Sequence, residues 1–228
     1  MSDRVDPLSR SIVVVGAGPG IGLAVARRFH SSGYAVAVIA RSRASIDGLV
    51  AKLNDSDANV PVIGLTADIS DDAALFAALD AAVAEHGVPD VLVYNAGVIR
   101  MDRAGELSSD ELLGTYAINV VGAAITAGHL GPLMARRGHG TILITGGMAE
   151  PKPDWFSLSL GKYGVRTLTE LLARQFGPSG VHVATVAVTE AVVPGTAYDP
   201  DVIAEQYFQL HNQEQGQWQR EIVFTPGQ

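Results

Sequence analysis

Ile12-Val13-Val14-Val15-Gly16-Ala17-Gly18-Pro19-Gly20-Ile21-Gly22 is a stretch, close to the start of the chain, in which a β-branched run gives way to glycines. The continuous apolar run predicts a strand that is buried on both faces, because half-exposed strands alternate apolar with polar residues. Beyond the glycines, Ile21, Val25 and Phe29 recur at helical spacing and predict a helix with one apolar face. A strand, a tight turn and a helix are therefore expected in direct succession.

The glycines between this strand and helix suit the binding of a phosphate. Glycine lets the backbone turn sharply and lets a ligand approach where a Cβ would block it. The first N–H groups of a helix lack intrahelical partners, and the helix dipole favours an anion there. The run thus matches the fingerprint of a dinucleotide site, with a purely structural turn as the alternative. The predicted phosphate-binding residues are Gly16, Gly18, Pro19, Gly20, Ile21 and Gly22.

Composition narrows the possible classes of function. The 228 residues are 47% hydrophobic and 18% charged, which is enough for a sizeable core. A formal net charge of −8 argues against a nucleic-acid partner and against a basic membrane-binding surface. The absence of cysteine excludes disulfides, thiolate metal sites and cysteine nucleophiles. The 6 histidines are scattered without metal-ligand spacing, so no metal site is predicted.

The start of the chain indicates where the protein resides. Residues 1–10 carry several charges and lack the apolar centre of a signal peptide, and we expect them to be loosely ordered. No apolar run approaches about 20 residues without a polar interruption, so no membrane span is predicted. These features predict a cytoplasmic protein.

Apolar, strand-like runs alternate with helical segments along the whole chain. With no linker or internal repeat, this alternation predicts one doubly wound parallel sheet of about seven strands, flanked by helices on both faces, in a single domain over residues 1–228. Such a sheet places its ligand cleft at the carboxyl ends of the strands. Long helices are predicted at 109–137 and 155–176. The predicted strands are 12–15, 34–40, 60–65, 90–94, 141–145, 181–188 and 221–224.

Several short motifs follow one another in a fixed order. They are the Gly16-x-x-x-Gly20-Ile21-Gly22 loop, Asp68 after the third strand, Asn95-Ala96-Gly97 after the fourth, Asn119 in a long helix, and Lys162. In this order the chain resembles the short-chain dehydrogenase/reductase family over essentially its whole length. The resemblance implies a Rossmann-type fold with a site for NAD or NADP. It places the pyrophosphate at the glycine loop, the adenine at Asp68 and Ile69, the adenosine side of the pocket at Asn95, Ala96 and Gly97, and the nicotinamide ribose at Lys162.

The end of the second strand bears on the choice between NAD and NADP. An acidic residue there accepts hydrogen bonds from both ribose hydroxyls, whereas an arginine pairs with the 2′-phosphate of NADP. This chain reads Ala40-Arg41-Ser42-Arg43, without a carboxylate. Arg41 and Ser42 are therefore predicted to bind the phosphate, and NADP is the preferred cofactor. The alternative is that Arg41 and Arg43 are solvated residues at the start of a helix.

The resemblance also implies a catalytic tyrosine four residues before the lysine, which this chain lacks. The residue at that position is Leu158, and counting about thirteen residues further back, where the family has a serine, gives Thr145. Tyr163 lies about 140° further round the helix and is expected to point elsewhere. Asn119, Thr145 and Lys162 thus remain as the predicted catalytic residues. Thr145, together with a water held by Asn119 and Lys162, would then supply the proton.

A second departure follows the sixth strand. The family usually has a Pro-Gly there and then a flexible segment that covers the nicotinamide and the substrate. In this chain the strand runs into Thr189 and Glu190, Pro194-Gly195 comes later, and Asp199-Pro200 already starts the next helix. We expect a short lid at 189–200. Either the loop is trimmed and Glu190 is solvated, or the cleft is open to a different substrate or a protein partner.

Three hypotheses for function follow. The first is an NAD(P)-dependent oxidoreductase that acts on a small-molecule carbonyl or alcohol and would be slow without the tyrosine. The second is an NAD(P)-binding protein without turnover, serving as a sensor or partner subunit, and the third is a lyase or isomerase on the same fold. The resemblance also implies a homodimer or homotetramer formed by the two long helices, although their small residues suit packing against the chain's own sheet as well.

Overall fold

Seven strands form one parallel sheet in the computed structural model, which describes residues 10–55 and 58–227. The spatial order is β3-β2-β1-β4-β5-β6-β7, so the chain winds outward from β1 and then again, in the other direction, from β4. This order confirms the predicted doubly wound sheet. The strands are β1 (Ser11–Val15), β2 (Ala35–Ala40), β3 (Val62–Thr66), β4 (Val91–Tyr94), β5 (Gly140–Gly147), β6 (Val181–Val188) and β7 (Glu221–Phe224).

Helices connect the strands and cover both faces of the sheet. Several of them begin at a side-chain cap: Asp71 and Asp199 accept hydrogen bonds from backbone N–H groups, and Ser108 forms a capping box with Glu111. The helices are α1 (Ile21–His30), α2 (Arg43–Asn54), α3 (Asp72–His86), α4 (Ser109–Tyr116), α5 (Gly122–Arg137), α6 (Phe156–Phe176) and α7 (Pro200–His211).

Alternate residues along each strand build two separate cores. Val14 belongs to the core that α1, α2 and α7 cover, together with Phe29 and Tyr207. Val13 belongs to the opposite core, which α3, α5 and α6 cover and which includes Leu130. Each fully buried large apolar side chain stabilises the fold by roughly 1.5–3 kcal/mol. The two cores explain why the strands read as continuous apolar runs.

The helix predicted over residues 109–137 is interrupted by a π-helical turn at Ala117–Val121. The hydroxyl of Tyr94 donates a hydrogen bond to the carbonyl oxygen of Ile118 at 2.5 Å. The same hydroxyl lies 2.2 Å from the position that a Cβ would take on Gly122, so the glycine gives it room. A side chain that inserts into a helical hydrogen-bond ladder is a known cause of such irregularities. The turn carries Asn119.

Two further expectations bear on the ends and surroundings of the chain. The region Ser109–Arg137 is long and apolar enough to cross a membrane by length and composition alone, with a mean hydropathy of 1.3 in its most apolar window. Half of that window is buried inside the fold, as in the core helix of a soluble protein. The expected loose order of residues 1–10 concerns mostly residues 1–9, which lie outside the described residues.

Candidate active site

The glycine loop between β1 and α1 contains two glycines that pack closely and two that face open space. A Cβ on Gly16 would lie 2.4 Å from the backbone nitrogen of Ala96, and the φ of Gly16 is +78°, so only glycine fits. A Cβ on Gly22 would lie 2.9 Å from the backbone of the preceding turn. At Gly18 and Gly20 no described heavy atom lies within 4 Å of the Cβ position. The loop therefore leaves a cradle open beside the start of α1.

This cradle fits the pyrophosphate of a dinucleotide. The helix α1 begins at Ile21, has no acidic residue in its first turn, and receives no side-chain cap from Gly20. The N–H of Leu23 donates to the carbonyl oxygen of Gly18, so the N–H groups of Ile21 and Gly22 are left to an anion, which the helix dipole also favours. Pro19 is exposed on the loop, and Ile21 packs partly against the core. Of the six residues predicted to bind phosphate, Ile21 and Gly22 begin α1 and the other four lie in this loop.

The two arginines after β2 differ in their surroundings. Arg43 forms an ion pair with Asp47 at 2.9 Å, one turn along α2. Ser42 caps α2, because its hydroxyl accepts a hydrogen bond from the N–H of Ser45 at 3.1 Å. Arg41 is exposed and has neither hydrogen bond nor ion pair in the ranges that the structure describes. Its guanidinium is therefore available to a ligand, whereas that of Arg43 stabilises its own helix.

Asp68 lies beyond the end of β3, next to the end of β2. Its carboxylate accepts hydrogen bonds from the backbone N–H and the hydroxyl of Ser70, at 2.9 and 2.7 Å. These bonds, and to a smaller extent the nearby Arg41, lower the pKa of the carboxyl group. Ile69 is buried and packs against Gly122 of α5. Arg41 and Asp68 thus share one rim of the cleft, as the resemblance implies for the adenosine end.

Asn95 ties the glycine loop to the centre of the sheet. Its amide nitrogen donates to the carbonyl oxygen of Gly16 at 3.0 Å, and its amide oxygen accepts from the hydroxyl of Thr145 at 2.9 Å. Ala96 follows and is the residue against which Gly16 packs. The Cβ position of Gly97 is 3.9 Å from Nζ of Lys162. Residues 95–97 therefore join the phosphate cradle to the lysine.

Asn119 holds the segment that follows these residues. Its amide oxygen accepts from the N–H of Val98 at 2.6 Å, and its amide nitrogen donates to the carbonyl oxygen of Val98 at 3.3 Å. The helix α6 approaches closely because Gly161 lacks a side chain: a Cβ there would lie 2.9 Å from Cβ and Nδ2 of Asn119. The side chain of Asn119 thus positions the wall of the cleft beside α6.

Lys162 is buried where β5 meets α6. Its Nζ donates to the carbonyl oxygen of Thr145 at 2.9 Å, and its Cε lies 3.2 Å from the position that a Cβ would take on Gly147. Among the described residues no carboxylate forms an ion pair with Nζ. Burial away from water lowers the pKa of Lys162 to about 8. Lys162 is therefore a desolvated cation at the inner end of the cleft.

The structure corrects the expectation for Thr145. Its hydroxyl donates to Asn95 and accepts a hydrogen bond from the hydroxyl of Tyr207 in α7 at 2.7 Å. Thr145 lies two residues after Leu143 and therefore on the same face of β5, in the direction of α7. Only its backbone carbonyl reaches Lys162. The hydroxyl is a structural link and is not placed to orient a substrate carbonyl.

Leu158 is buried one helical turn before Lys162. The neighbouring hydroxyls are directed elsewhere, as the helical geometry predicts. Ser157 donates to the carboxylate of Asp102 at 2.5 Å, and Ser159 donates to the carbonyl oxygen of Lys152 at 3.2 Å. The structure therefore presents an apolar side chain at the position where the resemblance implies a phenol.

Sequence reasoning missed three residues that shape the site. Gly147 gives room to the stem of Lys162, and Tyr207 anchors Thr145 from below the sheet. Met148 is the one described non-glycine residue with a positive φ, +59°, and it turns the chain away from β5. Arg166 fixes this turn by donating to the carbonyl oxygen of Met148 at 2.7 Å. A count of alternating faces along β5 would have identified Gly147, while the other two have no local sequence signal.

The segment after β6 is short, as expected. Residues 189–199 contain no helix or strand, and α7 begins at Pro200. Thr189 and Tyr198 bring the two ends together through a hydroxyl–hydroxyl bond of 2.8 Å. Glu190 is exposed and has no hydrogen bond or ion pair in the described ranges. Residues 189–199 therefore form no helical lid over the cleft.

Comparisons with known proteins agree with this geometry. Residues 10–198 match a family described as short chain dehydrogenase. D-threitol dehydrogenase of Mycolicibacterium smegmatis is 33% identical over 180 residues, covering 78% of this chain and 68% of that protein. Galactitol 2-dehydrogenase (L-tagatose-forming) of Cereibacter sphaeroides is 34% identical over 179 residues, covering 76% and 68%. The crystal structure of a metagenomic short-chain oxidoreductase in complex with NADP has a TM-score of 0.86 at 26% identity, covering 98% of this chain and 100% of that one.

Proposed function

The chain belongs to the short-chain dehydrogenase family, a family of oxidoreductases, and we propose that it transfers hydride between NADP(H) and a small-molecule carbonyl or alcohol. The observation that carries this proposal is the continuity of the cleft. Residues 95–97 connect the open cradle at Gly18 and Gly20 to the buried cation of Lys162. One end therefore suits a pyrophosphate, and the other suits a ribose and a reacting carbonyl.

NADP is favoured over NAD by the charges at the adenosine end. The 2′-phosphate distinguishes the two cofactors, and a free arginine beside a helix N-terminus suits a phosphate. Arg41 is exposed and unpaired in the described part of the chain, directly before the start of α2. The solved relative named as a complex with NADP is in keeping with this choice.

The residues of the site would have separate roles in binding the cofactor and positioning the cleft. The bound nicotinamide supplies hydride chemistry. Gly18, Gly20 and the start of α1 would hold the pyrophosphate, and one of the two remaining N–H bonds of Lys162 would reach the nicotinamide ribose. Asn119 keeps the segment after Gly97 in place through its two hydrogen bonds to Val98. Because residues 189–199 form no helical lid, the substrate enters from an open side.

Self-association is a further part of the proposal. Large apolar side chains are exposed on α4 and α6, namely Leu113, Tyr116, Leu160, Tyr163 and Leu171. Exposed apolar patches of this kind mark protein contacts. A homodimer or homotetramer that packs these helices together would cover them, and sedimentation equilibrium of the purified protein measures its mass directly. A monomer at micromolar concentration would contradict this part.

The first experiment is a titration of the protein with NADPH and with NADH, followed by nicotinamide fluorescence. We expect NADPH to bind more tightly than NADH. Gly20→Arg places a long side chain at the cradle, and its Cβ has no heavy atom within 4 Å, so we expect it to abolish binding without unfolding the chain. Ser31→Arg adds the same charge at the exposed far end of α1 and serves as the matched control.

Nucleotide binding and hydride transfer, measured together, separate the oxidoreductase from the alternative functions. Failure of both nucleotides to bind, with Gly20→Arg behaving like the unmodified protein, would contradict the cofactor assignment. Binding without any hydride transfer would instead favour the sensor or partner-subunit hypothesis, which Leu158 and the short lid motivate. The similar proteins carry the names of dehydrogenases, which favours the enzyme.

A further inference from the structure

We propose that the ammonium group of Lys162 itself donates the proton to the substrate oxygen in carbonyl reduction, and that its neutral amine takes the proton in alcohol oxidation. This role rests on the proposed function and names the acid–base group of the same site. Leu158, one turn earlier on α6, cannot carry a proton. The question is therefore which neighbouring group does so.

The hydroxyl protons next to Lys162 are already donated within the protein. Thr145 gives its proton to the amide oxygen of Asn95. Ser157 gives its proton to the buried carboxylate of Asp102, which also accepts from the N–H of Ser157 at 2.8 Å. A neutral hydroxyl is in any case a weak acid. The hydroxyl groups of Thr145 and Ser157 therefore stabilise β5 and the start of α6 and do not reach the substrate.

The tyrosines of β4, α6 and α7 are directed away from the lysine. Tyr94 donates its hydroxyl proton into the π-helical turn. Tyr163 lies on the exposed side of α6, and its hydroxyl contacts the loop that follows β5 at 3.4 Å. Tyr207 donates to Thr145 from the opposite face of the sheet, since the single proton of Thr145 goes to Asn95. No phenol on these elements faces Nζ.

Nζ itself keeps N–H bonds that the protein does not use. Of the three donors of an ammonium group, one goes to the carbonyl oxygen of Thr145, and no second acceptor contacts Nζ in the described ranges. Two neighbouring residues, Gly97 and Gly147, lack side chains that would cover it. The unused donors therefore have room to reach a ligand in the cleft.

The charges around Lys162 leave its proton free to move. Arg166, one turn further along α6, is neutralised by Glu221 at 2.7 Å. Glu150 and Glu190, on the loops after β5 and β6, are exposed and form no ion pair with Nζ. Asn119, from the π-helical turn, is a neutral neighbour on the other side of Gly97. Because no carboxylate stabilises the charged form, desolvation decides the pKa of Lys162.

Desolvation brings the pKa of Lys162 close to neutral pH. Burial lowers the pKa of Lys162 to about 8, so that at pH 7 it is mostly an ammonium that can give up its proton. General acids work best when their pKa lies near the working pH. An arginine at the same place would keep the charge but could not release a proton.

The step balances with the cofactor as the only co-reactant. The carbonyl carbon receives a hydride, with its electron pair, from C4 of the reduced nicotinamide. The π electrons of the carbonyl move to its oxygen, where an O–H bond forms as an N–H bond of Lys162 breaks. The products are an alcohol, the oxidised nicotinamide and a neutral amine, which recovers a proton from water.

The test combines a titration of the lysine with kinetics. The chain contains only Lys52, Lys152 and Lys162, so ¹³Cε-lysine labelling gives three NMR signals, and Lys162→Met assigns one of them. We expect that signal to titrate near pH 8. With saturating NADPH and 2,2,2-trifluoroacetophenone as the probe ketone, kcat should fall tenfold per pH unit above this pKa.

Two variants then separate charge from proton transfer. Lys162→Arg should still bind NADPH but lower kcat about 10²–10⁴-fold and abolish the pH dependence. Lys52→Met, on the exposed face of α2, should behave like the unmodified protein. Turnover that survives Lys162→Arg with its pH profile intact, or a Lys162 signal that titrates near the ordinary value of about 10.4, would overturn the proton-donor role alone. NADPH binding without reduction of the ketone by the unmodified protein would contradict the proposed function as well.

Discussion

Leu158 and Lys162 project from the same side of α6, one helical turn apart, because residues i and i+4 are neighbours on a helix. An apolar residue at the first position leaves the ammonium of the second without the phenol that the resemblance implies. The surrounding hydroxyls of Thr145 and Ser157 stabilise the scaffold. The chemistry of the site therefore depends on a single buried cation and on the ligands that reach it.

Arg41 should decide the choice of cofactor. Arg41→Glu replaces an unpaired cation by an anion at the rim where the 2′-phosphate would lie. We expect the Kd for NADPH to rise by tenfold or more, since about 1.4 kcal/mol corresponds to a factor of ten. The Kd for NADH should stay the same or fall. Arg43→Glu is the matched control and should cost only the exposed ion pair with Asp47; equal losses of NADPH affinity in both variants would contradict the assignment.

Thr145 should matter for stability. Thr145→Val leaves the amide oxygen of Asn95 and the hydroxyl of Tyr207 without partners in a buried site. We expect the free energy of unfolding to fall by about 1–3 kcal/mol, measured by urea denaturation. Thr145→Ser keeps the hydroxyl and should lose much less. A stable Thr145→Val protein that binds NADPH but has lost turnover would show that the threonine acts in catalysis instead.

The contact between α6 and the π-helical turn is the element on which the catalytic end depends. Tyr94 inserts its hydroxyl into the turn, and the glycines of α6 let the turn approach. Asn119 sits at this contact and holds Val98 at the wall of the cleft. The irregular helix is thus a consequence of two packed elements and not of weak helix propensity.

Gly161 should not tolerate a methyl group. In Gly161→Ala the new Cβ would lie 2.9 Å from Asn119, so α6 or the turn must shift. We expect a loss of about 1–3 kcal/mol, as for other overpacked positions. Gly128→Ala on the exposed face of α5, where nothing lies within 4 Å, should instead stabilise the protein by about 0.4–1 kcal/mol. Thermal unfolding compares the two, and equal effects would contradict the close contact.

His211 should make the docking of α7 sensitive to acid. Its ring bonds Tyr34 and Thr141 at 2.8 Å each, and burial lowers its pKa to about 4. An ordinary histidine pKa near 6.5 applies in the unfolded chain, which therefore binds the proton first. The stabilising contribution is complete above pH 6.5 and is lost as the pH falls toward 4. His211→Gln should show a smaller loss in this range by urea denaturation; an unchanged pH dependence would contradict the assignment.

At the scale of the whole molecule, the sheet was predictable because the apolar runs in the sequence coincide with the strands that the fold buries. The seven predicted strands all form, and the five central strands are covered on both faces. The edge strand β7 leaves Val223 exposed. Pro61 delays β3 to Val62, as expected for a residue without an N–H. The glycine loop and the rim residues Arg41 and Asp68 come together because parallel strands end at one edge.

The inner end of the cleft was less predictable. The spacing from a resembling family pointed to Thr145, but the alternation of faces along β5 turns that hydroxyl toward Tyr207. The π-helical turn depends on Tyr94, which is distant in sequence. The positive φ at residue 148 was not predictable because the residue there is methionine and not glycine. These features arise from tertiary packing, which no local pattern records.

Hydride transfer is measured most directly with deuterium. The protein is incubated with 2,2,2-trifluoroacetophenone and with NADPH in which both hydrogens at C4 of the nicotinamide are replaced by deuterium, and the product is analysed by mass spectrometry. We predict one deuterium on the alcohol carbon for each NADPH oxidised, and none when Gly20→Arg blocks the cradle. NADPH that stays bound and unoxidised, with no deuterated alcohol formed, would contradict the assignment of this chain as an oxidoreductase.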